Sequence, residues 1–414
     1  MEDLEKKMKH GARISVVVNT LHALSNVEDT RKNEPDCKQW GPKGVELPTD
    51  EEYQFEDLEK LIDVGTLPNH LRDKAWQMLR NRAKAFGFDG RLGGYPARVH
   101  ICTKDGQQPI AILMYGASLE KRLIIEKQLK TWFQQDMIEP SISPWSALVI
   151  IAYRNSKPRF CVDYWKFNAA TIQDECHISR QSEILTSLSG AKVLSSLDAL
   201  SGFMQLKMAK EDAEKTAFQT HKGLFQFKRL PFGLTNGPPI FLRIMQSVLA
   251  PYLWLFCPVY IDDVVVYSMS YKKHLDHLDQ VLGAIKKAGL ILSPTKCHVF
   301  YPSIILLGHK VSHLGLSTHK EKVKAVLELE RPSKVSQLQT FLGILVYFLV
   351  FIPHYASTCA PLFRLLCKGA KWDWTREHEQ VFEEGKQALA SAPVLAHLEC
   401  GRPYWLYRTL LTKR

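Results

Sequence analysis

Two adjacent carboxylates interrupt an apolar run in PVYIDDVVVYS, residues 258–268, where Asp262 and Asp263 sit between β-branched and aromatic side chains. The apolar and aromatic residues from Leu255 to Ile261 and from Val264 to Tyr267 spell strand, tight turn and strand, with both carboxylates at the tip. Asp is also an ordinary turn residue, so the pair alone decides nothing. A second apolar run, VLSSLDALSGFMQL, reaches a lone carboxylate, Asp198, at the end of its strand pattern. A strand lying beside the hairpin would bring Asp198 next to Asp262. Carboxylates gathered at strand ends repel one another unless a cation sits among them, and an all-oxygen ligand set favours Mg²⁺ or Mn²⁺. Two such ions, about 3.5 to 4 Å apart, clamp the attacking and leaving oxygens of a phosphoryl transfer.

The surrounding pattern supplies elements to hold such residues. ALVIIAY and RFCVDY read as strands around the turn residues Asn155, Ser156, Lys157 and Pro158. Ser118 caps a helix with Ile125, Leu129, Trp132 and Phe133 on one face. PPIFLRIMQSVLAPYLW places Phe241, Ile244, Met245, Val248 and Leu249 on one stripe, with prolines in the permitted first turn, and should pack beneath a sheet. Ser270 starts a further helix that Gly289 stops. Two helices, 333–351 and 375–391, begin at Ser or Thr and end before proline. From about 48 to 85 the spacing of Phe55, Leu58, Leu61 and Ile62 is helical, and GFDGRLGGYP (87–96) reads as a glycine-rich turn cluster. Strands and helices mix irregularly, which is an α+β pattern.

With 414 residues, 45% of them apolar and 23% charged, the chain is long enough for two or three ordered domains. A formal charge of +11 points to polyanionic partners without proving one. The nine cysteines form no CxxC pair and no zinc-ligand spacing with the 15 histidines, and their odd, scattered number fits reduced intracellular thiols. MEDLEKKMKH has no apolar core for a signal peptide. The longest apolar stretch, LGILVYFLVFI at 342–352, falls short of the roughly 18 residues a membrane span requires. A soluble intracellular protein without a membrane partner, cytoplasmic or nuclear, is the expectation.

Further blocks appear in order along the chain: RFCVDY, FNAATI, LSSLDALSGF, EKTAFQTHKGLFQFKRLPFGLTNGPPIF, YIDD, LSPTKCHVF, LLGHKVS and LQTFLGILVYFLVFIPHYA. From about residue 110 to about 400 the chain resembles the reverse transcriptase of gypsy-type long-terminal-repeat retrotransposons. The resemblance implies an RNA-directed DNA polymerase with a right-hand fold of fingers, palm and thumb and a helical C-terminal connection region. Residues 1–95 read as a leader or N-terminal segment, partly helical, and the resemblance implies fingers and palm over 110–310, thumb and connection over 311–400, and a truncated start of a ribonuclease H region at 401–414. The implied cofactors are two Mg²⁺ ions, or Mn²⁺, held by Asp198 and Asp262 with Asp263 close by and the Ala199 carbonyl as a further ligand. The implied partners are an RNA or DNA template-primer and deoxynucleoside triphosphates. Phe203 falls where the family keeps a ring under the sugar, Arg159 where a fingers residue grips the triphosphate, and Lys296 where a lysine assists the leaving pyrophosphate. Phe232 and Gly233 belong to the base and sugar pocket, and Lys222, Lys228 and Arg229 are the basic residues placed to contact phosphates.

The chain also departs from that family. Trp165 stands for the usual Arg, Phe167 for Leu, Cys176-His177 for Tyr-Pro and Ser179 for a second proline, and the lost prolines should free a fingers segment. After GRPYWLY the sequence runs RTLLTKR, without the residues that open a ribonuclease H domain. These features support a rival expectation, a catalytically silent nucleic-acid-binding remnant of a retrotransposon polyprotein.

Overall fold

The computed structural model describes residues 45–46, 58–88, 92–113, 116–154, 157–318, 320–352, 354–367, 369–391 and 395. Most of the expected leader, the turn at Asn155 and Ser156, and the segment 401–414 lie outside the described residues.

Among the described residues, a six-stranded sheet runs in the order β1 (Val45–Glu46), β6 (Lys157–Asp163), β5 (Ala147–Arg154), β9 (Phe218–Thr220), β10 (Gly223–Phe227) and β4 (Ile138–Pro140). A five-stranded sheet runs β11 (Val259–Tyr260), β12 (Asp263–Ser268), β7 (Val193–Asp198), β13 (His298–Tyr301) and β2 (Asp63–Val64). Strands β3 (Tyr95–Val99) and β8 (Leu206–Met208) pair in parallel. A three-stranded sheet joins β14 (Ser303–Leu306), β15 (His309–Ser312) and β16 (Gly315–Thr318). The main helices are α1 (Asn69–Asn81), α2 (Leu119–Gln134), α3 (Trp165–Ala170), α4 (Gly237–Val248), α5 (Tyr271–Lys287), α6 (Val335–Tyr347) and α7 (Arg376–Ala390).

The uninterrupted valines of β12 follow from burial on both faces of the five-stranded sheet. Val264 and Val266 enter the main core with α4 and α5, while Val265 faces a smaller core with Leu194, Ile184 and Ile304. Phe241 and Met245 of α4 and Leu249 at its C-cap are fully buried, and each such side chain contributes about 1.5 to 3 kcal/mol. Helix α5 begins at Ser270, whose hydroxyl accepts from the Lys273 amide, and gives way to Gly289 at φ +74°. It buries His274, Leu278, Val281, Leu282 and Ile285 along one face. A separate core holds the C-terminal helices, where the Phe341 and Phe382 rings of α6 and α7 lie 4.5 Å apart.

Three expectations need correction. The helical pattern over 48–85 is broken by β2, because Gly65 turns the chain beneath β13, where its amide donates to the Val299 carbonyl at 2.8 Å. Nor is 1–95 a separate leader over its described part. Leu58, Ile62, Ala75 and Leu79 lie in the main core, and Arg82 forms a two-point ion pair with Asp279 of α5 at 2.6 and 2.9 Å. On α2 the expected face includes buried Ile125, Leu129 and Trp132, but Phe133 is 42% exposed, with its ring edge-on to Phe225 at 5.5 Å. No helix among the described residues is long and apolar enough to cross a membrane.

Candidate active site

The hairpin is tighter than its sequence suggested. Leu255 and Phe256 belong to a helical turn, with the Phe256 and Cys257 amides donating to the Tyr252 carbonyl, and β11 starts only at Val259. Val259 pairs with Val264 and Tyr260 with Asp263, which leaves a two-residue loop of Ile261 and Asp262. Ile261 takes φ +57°, a region that two-residue hairpins usually give to glycine and that a β-branched side chain resists. Such strain persists where the surroundings hold it, and functional sites are where it collects.

Strand β7 runs antiparallel beside β12, and its register sets Asp198 directly opposite Asp263. The cross-strand partner of Asp198 is therefore Asp263 rather than Asp262, which lies exposed in the loop next to it. Burial pushes the Asp263 carboxyl up to about 7, and the charges of Asp262 and Asp198 add to the shift. That crowding, together with an all-oxygen donor set, fits a divalent cation. Elsewhere, His100, Glu211 and Asp212 each bring one ligand atom within 4.8 Å of the others. That other trio already has a cation, since Lys215 Nζ sits 2.7 Å from Asp212.

The chain from Leu290 to Lys296 returns along the end of β7. Leu292 bridges Ala199, the Leu200 amide donates to the Ile291 carbonyl, and the Ser293 amide donates to the Asp198 carbonyl at 2.9 Å. This return delivers Lys296, whose Nζ lies 3.8 Å from Asp198 Oδ1. The neighbouring Cys297 thiol is fully buried and pushed up to about 12, so it stays protonated. Ala199 is buried just beyond Asp198.

Phe203 is 5% exposed and packs against Phe232 at 5.1 Å and Phe241 at 5.7 Å. Gly202 permits the approach, because a Cβ there would fall 2.9 Å from the Phe241 ring. Gly233 takes φ +98°, and a Cβ would come 3.3 Å from the Val162 carbonyl of β6. The structure thus gathers Asp198, Asp262, Asp263, Ala199 and Lys296 at one end of the five-stranded sheet, with Phe203, Phe232 and Gly233 as a second group.

The basic residues are placed differently. Arg159 lies in the six-stranded sheet, opposite Ala152 and Glu46 and three positions before Val162. Lys222, in the β9–β10 turn, pairs with Glu126 at 3.1 Å, and Lys228 pairs with Asp136. Arg229 is half-buried and donates to the Gly93 carbonyl at 2.8 Å and the Met204 carbonyl at 3.0 Å, so its guanidinium braces the backbone. Burial pulls its pKa below the usual arginine range.

Sequence reasoning missed two supports. Gln205 is fully buried: its Nε2 donates to the Leu200 and Ile291 carbonyls, and its Oε1 accepts from the Ile291 amide. His274 reaches from α5 to Ser195 of β7 at 2.7 Å and Ser268 of β12 at 2.9 Å, while Ser195 Oγ accepts from the Phe300 amide of β13. The signal for His274 was its spacing with Leu278, Val281 and Leu282 on the apolar face. Nothing local marked Gln205.

Residues 152–344 match the family described as reverse transcriptase (RNA-dependent DNA polymerase). The chain is 34% identical over 317 residues to the retrovirus-related Pol polyprotein from transposon opus of Drosophila melanogaster, covering 72% of this chain and 32% of that protein. It is 30% identical over 321 residues to the corresponding polyprotein from transposon gypsy of the same species, covering 75% and 30%. The chain therefore spans about a third of the length of these relatives. In fold it is similar to a foamy viral protease-reverse transcriptase in complex with double-stranded DNA, with a TM-score of 0.77, 21% identity, and coverage of 89% of this chain and 63% of that one. Site geometry, fold and relatives agree: the chain carries a reverse transcriptase domain of the kind found in the Pol polyproteins of gypsy-type long-terminal-repeat retrotransposons.

Proposed function

We propose that the chain is an RNA-directed DNA polymerase that adds deoxynucleotides to a primer 3′-hydroxyl. The observation that carries this reading is the pairing of Asp198 with Asp263 beside the Asp262 loop, three carboxylates at one sheet end. We assign the five-stranded sheet to the palm, the six-stranded sheet to the fingers, and the helical part beyond residue 318 to the thumb and connection.

Asp198 and Asp262 would hold two divalent ions, Mg²⁺ or Mn²⁺, with Asp263 supporting them and the Ala199 carbonyl adjoining. When bound, such ions lower the pKa of the primer hydroxyl and neutralise charge on the triphosphate. The protein's own share is then mostly positioning and electrostatics. Lys296, beside Asp198, can hold a proton and a positive charge near the departing pyrophosphate. Phe203 floors the sugar site with Phe232 and Gly233, and its ring leaves no room for a 2′-hydroxyl. Arg159 grips the triphosphate from the fingers. Lys222 and Lys228 contact the template-primer backbone, exchanging their carboxylate partners for phosphate. Arg229 acts through the backbone it braces.

The test is primer extension by the purified chain on an RNA template with Mg²⁺ or Mn²⁺. Asp262→Asn should reduce the rate by at least the roughly 10²- to 10³-fold that one preorganised electrostatic group supplies. Chelation should stop extension and added metal restore it. Extension by Asp262→Asn at the wild-type rate would refute the assignment, and primer-template binding without incorporation would identify a silent remnant.

A further inference from the structure

The loop 231–236, between β10 and α4, carries Phe232 and Gly233, and an asparagine outside the loop holds its backbone. Asn168 of α3 donates from Nδ2 to the Gly233 carbonyl at 2.8 Å and accepts at Oδ1 from the Thr235 amide at 2.9 Å. The loop reciprocates. Asn236 donates from Nδ2 to the Ile172 carbonyl at 2.8 Å and accepts at Oδ1 from the Asp174 amide at 3.1 Å. Each carboxamide uses a donor and an acceptor on main chain, which no carboxylate or hydroxyl of that shape reproduces. Asp174 is tied in turn to Arg243 of α4 at 2.7 Å. Side-chain bonds thus hold residues 172–174, just before the positions 177 and 179 where the family's prolines are missing.

We infer that Asn168 and Asn236 are positioning residues that fix the loop 231–236 over Phe203 and so set how the deoxynucleotide sugar is held. The inference rests on the polymerase reading above. On its inner side the loop presents Phe232 to the Phe203 ring at 5.1 Å, so any displacement of the loop changes the wall of the sugar site. A shift of about 1 Å in a positioned group costs on the order of 10²-fold in rate. Neither asparagine touches the substrate; both act through the Gly233, Thr235 and Ile172–Asp174 backbone.

The test compares the full chain with Asn168→Ala, Asn168→Asp and Asn236→Ala in single-nucleotide extension with Mg²⁺, using deoxy- and ribonucleoside triphosphates. The Ala variants should raise the deoxynucleotide KM about tenfold or more, move kcat less, and lower the preference for deoxyribose. Asn168→Asp should fall between them and wild type, since it keeps the acceptor for the Thr235 amide. Amide hydrogen exchange over 233–236 should quicken in the same variants while β7 and β12 keep their protection. Unchanged KM and sugar preference in an active chain would overturn the inference. A wild-type chain that adds no nucleotide would remove the polymerase reading and the nucleotide role with it. Unchanged exchange over 233–236 in Asn168→Ala would overturn the clamp on its own.

Discussion

Phe203 illustrates how a single side chain serves two demands. It is buried enough to be an ordinary core residue, and its contact with Phe232 also makes it a wall of the proposed sugar site. Phe203→Leu keeps most of the packing while removing the ring. It should lower discrimination against ribonucleotides by about tenfold or more, the scale of a lost apolar contact in a specificity pocket. Competition between a deoxy- and a ribonucleoside triphosphate at one template position reads this directly. Residue types suggested Asp198, Asp262 and Asp263 as a group, because carboxylates at the ends of apolar runs repel one another unless a cation sits among them, although Asp also serves simply as a turn residue. Which aspartate faces Asp198 was not legible. That depends on whether the hairpin loop holds two residues or more, and a positive φ at Ile261 is not written in an isoleucine.

Between elements, His274 joins three strands of the five-stranded sheet to α5 through Ser195, Ser268 and the Phe300 amide. Burial, with His277 nearby, lowers its pKa to about 3, so the folded protein keeps it neutral. An unfolded histidine titrates near 6.5, so the unfolded chain binds the extra proton first as pH falls. The contribution of His274 is complete above about pH 6.5 and drains toward pH 3, by up to about 1.4 kcal/mol per unit. Denaturant titrations across that range should show the loss, and His274→Gln should flatten it. Helices α6 and α7 meet at Gly385, where a Cβ would come 3.0 Å from Leu345 and 3.3 Å from Phe341. Gly385→Val should cost about 1 to 3 kcal/mol of stability by overpacking, seen as a lower melting temperature. The caps at Ser118, Ser270 and Thr375 were legible because capping chemistry is local, whereas the helix expected over 333–351 runs only from Val335 to Tyr347 with Lys334 at its N-cap. The partners of each helix were not legible, since they come from segments far away in the chain.

For the molecule as a whole, a formal charge of +11 favours a polyanion over a neutral partner. If Lys222 contacts a phosphate, Lys222→Ala should weaken primer-template binding alike on all sequences and shallow the salt dependence by about one unit of slope. Affinity measured at several salt concentrations decides it. Composition made the polyanion legible, but it hid the most distant joint. The spacing before residue 88 showed helix but not that β2 runs parallel to β13, with Asp63 bonded to His298 at 2.6 Å and to the Tyr301 hydroxyl. Asp63 and His298 are 235 positions apart. At about 5 to 20 residues per second of synthesis, the first strand waits on the order of 10 to 50 s for its neighbour to leave the ribosome. A nascent chain therefore carries an unmatched edge until 235 further residues have followed Asp63, and the five-stranded sheet closes only then.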